Sequence, residues 1–124
     1  MLEIVKKICI IFILLIIIDS LYFIAIGNFF NKQIKDIQGT SIKINYIAFI
    51  LCYIFIAIGL YYFIIKEKRS LYEAFLLGLV IYAIYELTNK TIITNWNWST
   101  VFIDSLWGGV LFMIVSYIMK QFFN

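Results

Sequence analysis

"ICIIFILLIIIDSLYFIAIG", residues 8–27, is the stretch whose reading decides the fold. It holds one charge, Asp19, in an otherwise unbroken apolar run. A helix of this length rises about 30 Å, which matches the hydrocarbon thickness of a bilayer. A secretory leader also begins with an apolar run behind basic residues such as Lys6 and Lys7. This run is too long for a leader's apolar core and contains an aspartate. It is expected to span a membrane.

Three more runs of the same kind follow, at about residues 46–65, 73–93 and 100–119. The 124 residues are 65% hydrophobic and 14% charged, too little polar side chain to cover a water-soluble globule. Backbone groups in hydrocarbon must pair within their own segment, so each run is expected to be a helix. The expected fold is an all-α integral membrane protein: one domain, a four-helix transmembrane bundle with both termini on the same side. Six Lys and Arg residues lie on the side of the termini and four on the other. By that bias the termini are placed in the cytoplasm.

Between the first two runs, Phe30, Ile34 and Ile37 recur at helical spacing with Lys32, Lys35 and Asp36 among them. Residues 29–38 are read either as a short amphipathic helix in the interface or as an ordinary loop within residues 28–43. The two tryptophans of "NWNW", Trp96 and Trp98, are expected to sit in the aromatic belt at the membrane surface.

Composition also excludes. The basic residues form no stripe, so nucleic acid is not an expected partner. There is no histidine, which rules out His-ligated haem and argues against a catalytic zinc. No cofactor and no metal are implied. Cys9 and Cys52 both fall inside spans and are read as free thiols. With no proline in the chain, close helix approach must come from glycine.

Three of the seven acids fall inside spans: Asp19, Glu86 and Asp104. Counted from the ends of their runs at 1.5 Å per residue, they lie about 12, 10 and 6 Å deep. Because the chain crosses alternately, all three fall in the same half of the membrane. Each acid costs roughly 2.5–3.5 kcal/mol in the apolar slab, so the three are expected to face the bundle interior and meet polar partners. Tyr82, Glu86 and Asn89 share one helical stripe, and Lys90 follows Glu86 by four, a spacing suited to an ion pair. Tyr22 lies three residues after Asp19 and Trp107 three after Asp104, each on its acid's face and each able to donate to a carboxylate. Gly108 leaves room for a helix or a ligand. Two acids in one low-dielectric pocket cannot both ionise cheaply, so at least one is expected to hold a proton. The candidate ligand- or proton-binding residues are Asp19, Tyr22, Tyr82, Glu86, Asn89, Asp104, Trp107 and Gly108. No catalytic residue is identified.

"IDSLY", "YELTN" and "IDSLWGG" together resemble a family of small membrane proteins, the domain of unknown function 2177 family. Its pattern is Asp-x-x-Trp in the first span, Tyr-Asp-Leu-Thr-Asn closing the third and Asp-x-x-Trp-Gly in the fourth. Here those positions are Asp19 and Tyr22, Tyr85 to Asn89, and Asp104, Trp107 and Gly108, with Tyr22 for Trp and Glu86 for Asp as departures. The resemblance implies a four-helix membrane protein and transfers no activity. Three functions fit the residues. One is a small proton-coupled transporter or ligand-binding membrane protein, acting as a homo-oligomer on a small molecule or proton. The second is a structural or assembly protein whose acids are interhelical glue. The third is a membrane-embedded lipid-modifying enzyme. The lipid bilayer is the one partner common to all three.

Overall fold

The computed structural model describes residues 1–123. The described residues form four helices: α1 (Leu2–Gln38), α2 (Tyr46–Leu60), α3 (Leu71–Ile92) and α4 (Trp98–Phe122). A single π-helical turn, Tyr61–Ile65, carries α2 on to its end. All four are long and apolar enough to cross a membrane. No strand occurs among the described residues. The protein is an integral, multi-pass membrane protein built as a helical bundle.

Local signals set the helix ends. The Asn45 side chain accepts from the Ala48 amide at 3.1 Å and starts α2. Ser70 and Glu73 form a reciprocal capping box at the start of α3, and Arg69 reaches Glu73 at 2.9 Å. Gly39 ends α1 with φ at 81°, in the left-handed region that favours glycine.

Helix α1 departs most from expectation. Residues 28–38 are neither a loop nor a separate interfacial helix; they continue α1 without a break. At 37 residues it is about 55 Å long, well beyond the hydrocarbon thickness. Nothing near Gly27 stops the helix, and the polar residues beyond it find partners. Gln33 is buried, and its Oε1 accepts from the Asn97 amide at 2.8 Å and from the Thr100 hydroxyl at 3.0 Å. These bonds pin the extension of α1 to the first turn of α4. The true connection, residues 39–45, folds back along the helix, where the Asn31 side chain accepts from the Ile42 amide at 3.0 Å. Gln33→Leu is expected to cost about 1–3 kcal/mol, because two donors lose their acceptor. Faster hydrogen exchange at residues 97–100 would report it, and unchanged exchange there would count against the pinning role.

Helix α4 is the centre of the bundle, with eleven buried residues. Leu111, Phe112, Val115 and Met119 pack with Ile11, Leu15, Ala57 and Leu60 in one core. The opposite helix faces expose Ile17, Ile24, Phe55, Ile84 and Phe102, which suits contact with lipid. Cys9 and Cys52 are free and exposed. The closest helix pair is α3 against α4. A Cβ on Gly78 would collide with the Gly108 carbonyl, and one on Gly109 would come within 2.6 Å of the Phe75 ring. Small residues thus bring these two backbones together, as membrane helix packing favours.

Candidate functional site

The polar row in the bundle can be assembled from its backbone placement. Helices α1 and α4 run antiparallel, so Asp19 comes level with Trp107 and Tyr22 comes level with Asp104. The hydrogen bonds therefore cross. The Trp107 indole Nε1 donates to Asp19 Oδ1 at 2.8 Å, and the Tyr22 hydroxyl donates to Asp104 Oδ1 at 3.4 Å. Each helix supplies the donor for the other helix's acid, where the sequence spacing had suggested pairing within each helix. The two rings stack with centroids 4.4 Å apart and planes 1° from parallel. That stacking holds both donors between the two acids and adds attraction beyond their burial.

A third helix joins the row. The Tyr53 hydroxyl, on α2, donates to Asp19 Oδ2. Tyr53 was missed from sequence because α2 contains no acid to draw attention to it. The available signal was depth: it lies seven residues into its helix, at a level comparable with Asp19.

Glu86 on α3 is 1% exposed and accepts from the Trp96 indole Nε1 at 2.7 Å. Trp96 is 5% exposed, so this tryptophan turns inward and does not sit in a surface belt. Trp98 is 55% exposed and stacks with Phe102. Lys90 makes no ion pair with Glu86. Its Nζ donates to the Trp96 carbonyl at 2.7 Å and lies 5.5 Å from the Trp98 ring centroid. Trp96 thus bridges the two: its indole serves Glu86 and its carbonyl receives Lys90. A tightly folded connection brings that indole within reach, which helical spacing alone does not encode.

Asp104 on α4 and Glu86 on α3 border one common cleft. The row therefore runs from Tyr53 through Asp19, the Trp107–Tyr22 stack, Asp104 and Glu86 to Trp96. It touches all four helices and the connection before α4.

The other sequence-predicted residues lie beside this row. The Tyr82 ring packs edge-on against Phe112 and over Gly108, where a Cβ would strike it. The space Gly108 leaves is filled by α3. Asn89 is half-buried, and its backbone carbonyl accepts from Ile93 to close the end of α3. Neither Tyr82 nor Asn89 donates to any of the three acids among the described residues.

Glu86 and Asp104 also form part of the wall of a cleft of about 330 Å³. Phe23, Phe30, Ile34 and Ile42 supply its apolar walls, and Lys43 stands at its edge. The carboxyl row thus meets the cleft at Asp104 and Glu86, while Asp19 lies away from it.

The family described as "Predicted membrane protein (DUF2177)" matches residues 4–120. No curated protein and no solved structure matches the chain.

Proposed function

We propose, for a chain that belongs to the DUF2177 family of predicted membrane proteins, that the carboxyl row is a proton-exchanging site for a small lipophilic cation. One observation carries this reading: Asp104 and Glu86 both stand on the wall of one largely apolar cleft. A cation entering the cleft would be held by the negative charge left when a proton departs from either carboxyl. Protonation would release it. Proton and cation would then compete for the same carboxyl oxygens, which is the elementary requirement of a proton-coupled carrier. Asp19, saturated by Tyr53 and Trp107, would position the aromatic stack that holds Asp104 in place.

The test uses the full chain in proteoliposomes, with tetraphenylphosphonium as probe and an imposed pH gradient. Gradient-driven accumulation should fall to the level of protein-free vesicles in Asp104→Asn and in Glu86→Gln. Asp19→Asn should retain part of it. Infrared spectra of the same samples should show a protonated-carboxyl band that titrates and disappears in the double variant. Accumulation that is unchanged in all three single variants would sink the proposal.

A second reading has its own support. Every acid in the row already receives a donor from another element, as interhelical glue requires. Under that reading the neutral variants lose folded yield and no cation-dependent activity exists to lose.

A further inference from the structure

At the opposite end of the bundle, where both termini emerge, a second cavity of about 290 Å³ lies between three chain segments. Four lysines line it: Lys7 from α1, Lys66 and Lys68 from the turn after α2, and Lys120 from α4. Tyr61 and Met119 give it an apolar back wall. Among the described residues, no acidic side chain lines the cavity. Glu3 and Glu67, the nearest acids in sequence, form no salt bridge among the described residues, and Glu73 is taken by Arg69.

The turn is built to hold its cations there. The Lys68 amide donates to the Ile65 carbonyl at 3.1 Å and the Arg69 amide to the Ile64 carbonyl at 2.9 Å. Lys68 adopts a φ of 52°, a left-handed conformation in which glycine would be less strained. Lys66 rests over the Tyr62 ring, 4.6 Å from its centroid. Lys7 and Lys120 are half-buried. Four like charges around one small cavity repel one another, and a multiply hydrogen-bonding anion relieves that repulsion. The cavity sits at the ends of spanning helices, which is the level of the lipid headgroups.

We propose that this basic cavity binds the phosphate of an anionic lipid headgroup. Phosphate supplies acceptor oxygens for several ammonium groups at once, and the apolar back wall suits the glycerol and first acyl carbons. Basic pockets between spanning helices recognise lipid phosphates in this way. The site is separate from the carboxyl row and stands whether or not the row exchanges protons.

The experiment is native mass spectrometry of the full chain released from neutral detergent, titrated with phosphatidylglycerol and, separately, with phosphatidylcholine. Phosphatidylglycerol should bind with one strongly retained copy, and phosphatidylcholine should bind far more weakly. Affinity should fall about fivefold for each lysine changed to glutamine among Lys7, Lys66, Lys68 and Lys120. The control, Lys32→Gln with Lys35→Gln, removes charge from the opposite end and should leave binding unchanged. Displacement of the lipid by inorganic phosphate at equal concentration would assign the same site to a free phosphate species; persistence of the lipid assigns it to the membrane. Equal binding of both lipids, or an equal loss in the control variant, would overturn the proposal. Circular dichroism of each variant separates lost binding from lost fold.

Discussion

Gly78→Leu is expected to unfold the bundle at markedly lower denaturant, with a loss of about 3 kcal/mol or more. A Cβ at this position meets the carbonyl of Gly108 and approaches the Phe112 ring to 2.8 Å. The carbonyl belongs to the backbone of α4 and cannot rotate away as a side chain can. The α3–α4 pair must therefore separate, and that pair is the tightest in the protein. Separation would also draw Glu86 away from Asp104, since the two stand on α3 and α4. Gly59→Ala is the matched control, because nothing lies within 4 Å of its added Cβ. It should be neutral or gain up to about 1 kcal/mol from helix propensity. Unfolding in mixed micelles with increasing dodecyl sulfate, followed by circular dichroism, measures both. Equal midpoints for Gly78→Leu and the unaltered chain would show that the seam is not as close as described.

The second large effect is expected at Asp19. Asp19→Ala removes the one acceptor shared by the Tyr53 hydroxyl and the Trp107 indole, leaving two donors without a partner in apolar surroundings. Hydrogen bonds between membrane helices average about 0.6 kcal/mol and reach about 1.7, so the loss should be about 1–3 kcal/mol. Asp19→Asn keeps one carbonyl oxygen and should lose half as much or less. The diagnostic is a double-mutant cycle: Tyr53→Phe in the Asp19→Ala background should cost little more than Asp19→Ala alone, because its partner is already gone. Strict additivity would break the link between α1 and α2. Trp107 fluorescence should shift in the same variants, since its indole donor and its stack on Tyr22 share one ring.

The outcome at Lys90 shows where sequence reasoning loses its hold. Its spacing from Glu86 suits an ion pair, yet the ammonium goes to the Trp96 carbonyl and the acid takes the Trp96 indole. Spacing on one helix identifies which groups could meet. It contains no term for a competitor delivered by a folded connection. Residues 28–38 show the same limit from the other direction. Their mixed polarity suits an interfacial helix or a loop, and only the bonds from Gln33 to the start of α4 explain why the helix runs on. Tyr53 was hidden for a related reason: a hydroxyl in an apolar run gains meaning only when an acid on another helix stands opposite it.

The sequence by itself determined the membrane class, the four spanning helices and the inward turn of Asp19, Glu86 and Asp104. These follow from transfer energies, which depend on residue type and run length and need no knowledge of neighbours. Tertiary structure alone decided who partners whom. Antiparallel helices can slide in steps of 1.5 Å per residue, and the register they take is set by side-chain packing between them. In that register the aromatic of "IDSLY" serves the aspartate of "IDSLW", the indole of "IDSLW" serves the aspartate of "IDSLY", and the two rings stack where the helices pass.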